Sequence, residues 1–529
     1  MRTRRESLFG QGRLQVVLLL IAAVVLWGGD RPKTPPTPPP TCGVTHNDIV
    51  QWIQNPSVPS EPAGIANSCF DQLAWQELFA VTQLVGNIPK FATWPNDQEL
   101  FPAHGDPPPW RTGARPMRVR QLHKGLGLPG AGGVTADTVT EAAALVPLVD
   151  QRGRLAHFSI VVNEPEYDYI RSHELYRGNC FNARGGTALN PPKSYIDRPT
   201  GSLELKLAWR VLETCDLPDS KHPCTKEDPS RYLTVEGEIQ SYSPHILNKP
   251  VKALLGLVGM HIVQKTKKYS SNIWMTFEHV DNAPDCGQTP MPPPPGFSGW
   301  AFHDAKCKDL EGSGRCQDNW YCLPCPRKVQ GNVLQAFNSN SQNSWKIPLD
   351  LKSIDGSGLI TCTQAPNEFN QPVSVDGKNV WIYLFDPNDP KACKVDPIPT
   401  QVCRSIPIGS DVTALNDQVR KVLRQLGGST AVLANYELVG VLYLNDQGKP
   451  HPPVLANTTM ETYLQKLPMG CVQCHSNQGL YGSVGPVPHK PPMQFNSGLA
   501  DRSYVFQQIR QFDARCGTDQ EANGPVMPP

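Results

Sequence analysis

The sequence predicts an α+β chain: a large N-terminal mixed domain with an antiparallel sheet, then a small, mainly helical C-terminal segment. Three observations predict it. Leu203, Leu205, Leu207, Trp209 and Val211 alternate with Glu204, Lys206, Ala208 and Arg210, the two-residue period of a strand. Residues 254–263 and 273–280 read as two further strands, and the polar stretch 265–272 between them suits an antiparallel pair. Residues 410–426 carry the clearest helical period, with Val412, Leu415, Val419, Val422, Leu423 and Leu426 on one face.

The N-terminus comes first in the chain. Arg2, Arg4, Arg5 and Arg13 form a basic head, and residues 16–27 are an unbroken apolar run. That length suits the core of an export signal better than a full membrane span. No small-x-small cleavage site follows, so residues 1–30 are read as a signal peptide or a retained signal anchor, with 14–28 as the membrane tether. Residues 31–41 are a proline-rich linker, semi-rigid and unable to join a core.

An α+β domain is expected over 42–405. In order, residues 70–84 read as a helix with Leu73, Trp75, Leu78, Phe79 and Leu84 inward, and 89–113 as loop. A short helix is expected at 136–146, stopped by Pro147, and a strand at 157–162. A helix at 167–176 carries Tyr169 and Ile170 inward, and 232–239 is another strand. A cysteine-rich insertion, 286–325, holds Cys307, Cys316, Cys322 and Cys325. Four thiolates at such spacing can hold zinc, but in an exported chain disulfides are the better reading. Residues 379–385 read as a strand. Ser410 or Asp411 caps the 410–426 helix and Gly427 ends it, while 431–444 is a strand closed by a turn at 445–448.

Residues 406–529 form the C-terminal region. Thr458 and Glu461 have capping-box spacing for a helix over 458–467, with Met460, Tyr463, Leu464 and Leu467 on one side. It leads into Cys471-Val472-Gln473-Cys474-His475, and a second helix is expected over about 500–512. Two thiols three positions apart, followed at once by histidine, form the attachment pattern of c-type haem. Each thiol adds across one vinyl group of the porphyrin, and the adjacent imidazole reaches the iron as proximal ligand. The C-terminal segment is thus expected to be cytochrome c-like. Cys322 and Cys325 repeat the spacing, but Pro326 replaces histidine and excludes a second haem there.

The sixth iron ligand is open. Met493 is the candidate nearest the motif, and a thioether raises the reduction potential. His261 is the alternative, an imidazole on an otherwise apolar stretch where a core role also fits; His489 is a third, and Met469 lies too close to the motif to reach the far face. Glu278, His279 and Asp281 are the one cluster resembling acid/base equipment, though a structural network at a strand end fits better. Asn457-Thr458-Thr459 matches a glycosylation acceptor and is better explained as a helix cap.

Composition narrows the class. Lys+Arg 49 against Asp+Glu 48 leaves no field to favour nucleic acid. The chain has 529 residues, 54 prolines and only 18% charged residues, which suits a loop-rich extracytoplasmic protein of two to four domains. Of 16 cysteines, two belong to the haem motif, and the even remainder suits disulfides in an oxidising compartment.

Five segments resemble a set found together in bacterial exported proteins of the cytochrome c family: 259–266, 273–282, 434–440, 455–463 and 471–475. They read GMHIVQKT, IWMTFEHVDN, ANYELVG, LANTTMETY and CVQCH, and the resemblance spans about 70–510. It implies a monohaem periplasmic protein, soluble or anchored to the inner membrane, with haem attached at Cys471, Cys474 and His475. The stretch from Cys307 to Cys325 stands as an insertion relative to it. The expected function is electron transfer through one covalent haem c to a redox partner protein. A haem-dependent oxidoreductase of peroxidase or oxygenase type, with substrate on the large domain, is the alternative; a haem-based sensor is the third.

Overall fold

A computed structural model describes residues 42–102, 105–111, 148–152, 154–177, 191–194, 200–213, 227–241, 246–269, 271–286, 299–303, 400, 402–462 and 465, plus the strands at 117–118, 333–337, 344–348, 373–375 and 378–380. The export segment 1–30, the linker 31–41, the expected helices at 136–146 and 500–512, the stretch from Cys307 to Cys325, and Cys471, Cys474, His475, His489 and Met493 lie outside the described residues. The chain divides into two units, Met1–Pro39 and Pro40–Pro529, and every described residue belongs to the second.

Helices and antiparallel strands both appear, so the α+β class holds. Helix α1, His46–Gln54, starts at a capping box in which Thr45 and Asp48 satisfy each other's backbone N–H. Helix α2 is Asn67–Thr82, and the disulfide Cys42–Cys69 ties the preceding chain to its first turn. Strands β1, Leu84–Val85, and β2, Ile88–Pro89, form a small hairpin, followed by the one-turn helix α3, Asp97–Leu100. Strand β3 is Met117–Arg118, β4 His157–Val162, and helix α4 Glu164–Ser172. Strands β5, Leu203–Val211, β6, Thr234–Ser241, β7, Ile246–Gln264, and β8, Ile273–His279, follow. Two separate pairs are β9, Val333–Phe337, with β10, Ser344–Pro348, and β11, Val373–Val375, with β12, Lys378–Val380. Helix α5, Ser410–Leu426, strand β13, Tyr436–Leu444, and the short β14, Pro450–His451, complete the set.

The large sheet runs β14-β13-β8-β7-β5-β4, with β6 also on β7 and a two-residue β3 parallel to β6. All its other pairings are antiparallel. Strand β7 is its axis: 19 residues long, it serves β6 along its first half and β5 and β8 along its second. Although α5 and β13 follow residue 405, they share this core: Asn416 of α5 accepts the Trp75 indole N–H of α2 at 3.2 Å and exchanges two hydrogen bonds with the Leu438 backbone of β13.

Both faces of the sheet are covered. On the first, Leu203, Leu205, Leu207, Trp209 and Val211 pack with Met260, Ile262, Met275 and Phe277 under α1, α2 and α5. The expected strand face of β5 is therefore correct. On the second, Phe158, Ile160, Val162 and Ala208 pack with Tyr167 and Ile170 of α4, Phe302, Val402 and Met460.

Several expectations need correcting. Helix α2 ends at Thr82 because Gln83 turns to extended backbone, so Leu84 is 42% exposed in β1. Thirteen of the sixteen α2 residues are buried, so it is a central helix and not a one-faced one. Helix α4 starts at Glu164, where Asn163 accepts the Glu166 N–H and Pro165 suits the first turn. Helix α5 spans the expected residues, but Gly409 stands at its N-cap with no side-chain bond, and Leu426 is 41% exposed. Residues 428–435 wind as a 3-10 helix before β13 begins.

One buried histidine gives a pH test. His157, on β4 opposite Trp209, is fully buried, and burial pushes its imidazole down to about 4 from 6.5. The folded value is depressed, so this stability is fully present above the unfolded value and is lost as pH falls through it. Between about pH 7.5 and about pH 4.5, the stability of a His157→Phe form relative to the natural chain is expected to improve by about 2–3 kcal/mol. Urea unfolding of both forms at the two pH values checks this, and a constant difference refutes it.

Candidate functional site

The candidate site grows from the polar residues on the second face of the sheet. In register across the strands lie Lys206 of β5, His261 of β7 and Thr276 of β8. One step along, Ala208, Gly259, Glu278 and Glu437 line up. Alternation on β5 hid this row, because the residues between the apolar ones read as solvent-facing; Glu204, Lys206 and Arg210 are instead buried.

The cover over β7 and β8 is the stretch 455–462, which precedes Cys471 in the sequence. Gly259 makes the approach close: a Cβ there would run into the Thr459 hydroxyl. Asn457 is fully buried; its side-chain amide donates to Thr276 Oγ1 and Phe277 O, both at 3.0 Å. Its Oδ1 accepts the Thr459 N–H at 2.9 Å and the Thr459 hydroxyl at 2.7 Å. The glycosylation match at Asn457 is thus a docking element.

The expected cap moves by one residue. Glu461 Oε2 accepts the backbone N–H of Asn457 at 2.9 Å, and the Glu461 N–H returns to Asn457 O. Thr458 instead donates its N–H at 2.7 Å and its hydroxyl to Glu278. Residues 458–462 make turns, not the start of the expected helix.

Glu278 is fully buried and shared with Arg404, whose guanidinium also reaches Glu437 at 2.7 Å and Asp285 at 3.2 Å. Burial raises the Glu278 carboxyl above its usual range, opposed by Arg404 and Thr458. Burial works against the Arg404 charge, but Glu278, Glu437 and Asp285 hold it firmly protonated. Next to Arg404, the disulfide Cys286–Cys403 joins two stretches that also share backbone hydrogen bonds. Gln465 closes the seam: its amide donates to Cys403 O at 3.0 Å, and its Oε1 accepts the Ser405 N–H at 2.8 Å. Arg404 and Gln465 were not foreseen. Their partners are distant in sequence, and neither lies in a local motif.

The other expected residues fall as follows. His261 is buried, with Nε2 3.4 Å from Glu461 Oε2, ten positions before Cys471. The cluster of Glu278, His279 and Asp281 splits across the sheet. His279 donates from Nε2 to Arg231 O and accepts the Asp281 N–H at Nδ1, stacked on Tyr232 at 4.3 Å. Burial pushes it down to about 3, so it stays neutral. Asp281 takes a bidentate grip from Arg231 at 2.6–2.9 Å. Each member has a structural partner, which fits the structural reading of this cluster.

Among the described residues, no group of three or more His, Cys, Asp or Glu could hold a metal ion, and no helix is long and apolar enough to cross a membrane. The chain matches no protein-family model, no curated protein and no solved structure.

Proposed function

We propose that the chain is an exported, monohaem c-type cytochrome that passes electrons to a redox partner protein. The observation that carries the reading is the sequence Cys471-Val472-Gln473-Cys474-His475. Two thioethers would anchor the porphyrin and His475 would ligate its iron, with Met493 or His261 as candidates for the opposite side. When bound, the haem supplies one-electron chemistry; the protein sets its exposure and ligand field.

Two features support the reading. Cys42–Cys69 and Cys286–Cys403 are disulfide-bonded, in keeping with an oxidising compartment such as the periplasm. The stretch before the motif is pinned to the sheet at Asn457 and Thr458 and to the 403–405 stretch at Gln465, six positions before Cys471. A cofactor tethered there would be held against the large domain. The C-terminal region is proposed as a small, mainly helical, cytochrome c-like unit. Residues 14–28 would serve as a membrane tether if the export segment is retained.

The test is a denaturing gel of the full chain, made in a host able to attach haem c. Covalent haem keeps its peroxidase stain through denaturation and acid-acetone extraction. A colourless band, or pigment that washes out, overturns the proposal.

A further inference from the structure

We infer that helix α2 is a proton-held latch: it seats on the sheet while the side chains of Asp71 and Glu77 carry protons, and it loosens as the pH rises past neutrality. Glu77 is 0% exposed, and neither of its carboxyl oxygens has a hydrogen-bond partner. Its neighbours one turn away, Leu73, Ala74, Ala80 and Val81, are apolar and buried. Asp71 is 7% exposed, and the charge that faces it is a like one, Asp411 in the first turn of α5.

A carboxylate stripped of water and given no donor is costly, so each side chain holds a proton instead. Burial raises the Asp71 carboxyl to about 7, with Asp411 adding to the rise. Burial alone lifts Glu77 well above the usual carboxylate range. The elements packed most closely on α2 are α1, α5, β7, β13 and the 3-10 turn Lys90–Thr93. Among the described residues, α5 brings Asp411 and β13 brings Tyr443 to Asp71, and no charged group from any of these elements faces Glu77. No cation is in place to take over when a proton leaves.

The seat itself is specific. Phe70 stacks on Tyr443 of β13, and Trp75 meets Phe277 of β8 edge-on and donates to Asn416 of α5. The disulfide Cys42–Cys69 fixes the first turn of α2, ahead of both acids. The later turns can lift while the chain stays tethered.

When those turns lift, water solvates both carboxyls, and each returns to its ordinary range and releases its proton. Both folded values are raised, so this stability is fully present below the unfolded values of 3.8 and 4.5 and is lost as the pH rises, through about 7 at Asp71. Inside that window each proton steepens the opening equilibrium by about tenfold per pH unit. His157 of β4 and His279 of β8 titrate in the opposite direction, but they are common to every form compared below and cancel.

The test is hydrogen exchange on the full chain, read as protection factors so that intrinsic exchange rates drop out. It needs no bound haem, so a failed pigment test leaves it standing. Between about pH 5 and about pH 7.5, the α2 amides of the natural chain are expected to lose about tenfold more protection, or beyond, than those of β7. Asp71→Asn combined with Glu77→Gln is expected to remove that excess loss. Glu77→Met alone, an apolar chain of similar length, is expected to remove part of it, which keeps the test decisive if the double form fails to fold. Equal losses in α2 and β7 of the natural chain overturn the inference. So does an excess loss that survives in the double form, or in Glu77→Met undiminished.

Discussion

Exchanging Cys471 and Cys474 for serine is expected to abolish covalent pigment completely while leaving the sheet folded. A hydroxyl does not make the thioether that a thiolate makes with a porphyrin vinyl group, so no covalent link remains. The fold should survive because its core is built elsewhere. Among the described residues, every member of the buried apolar clusters lies between Ile49 and Met460, ahead of the motif. Haem staining, with far-ultraviolet circular dichroism and a urea midpoint, reads both halves of this expectation. If the double-serine form keeps its stain, the attachment chemistry is wrong. If it loses its structure too, haem is a folding element, and the large domain depends on it.

Glu278→Ala is expected to destabilise the sheet domain strongly, by about 3–5 kcal/mol, because it leaves buried donors without an acceptor. Three groups would lose their acceptor or counter-charge: the Thr458 N–H, the Thr458 hydroxyl and one N–H of the Arg404 guanidinium. Arg404 would keep Glu437 and Asp285, so its charge is not stranded; Thr458, fully within the seam, would be. Glu278→Gln preserves the shape and one acceptor and should lose only about 1–3 kcal/mol. Urea unfolding of the two variants beside the natural chain separates these outcomes. Equal losses would show that packing volume, not hydrogen bonding, sets the effect.

The strands and α5 were legible because their periods are local. Strand β5 shows its core face in five residues, and α5 shows an apolar stripe that Gly427, at φ 64°, then ends. What failed was the assumption of a dry face and a wet one. Helix α2 is enclosed nearly all round, so its Asp71, Gln72 and Glu77 are buried although the pattern puts polar residues outside. The second face of the sheet carries buried polar residues such as Lys206, His261 and Glu278 beside its apolar ones, which alternation alone cannot distinguish from solvent-facing residues. At the site, the proposed haem attachment rests on sequence alone, on two thiols and an imidazole within five residues. The seat ahead of it was not legible. Thr458 looked like a cap because Glu461 follows at the right spacing, but Glu278 outcompetes the helix for its hydroxyl from 180 positions away.

The interred amide of Asn457 has a practical consequence for making this protein. Its sequon is readable by the oligosaccharide-transfer machinery of a eukaryotic secretory pathway, which acts on chains before they fold. A sugar tree added there would occupy the space that Thr276 and Phe277 need, so yeast or mammalian secretion should yield misassembled material. Bacterial export avoids that hazard.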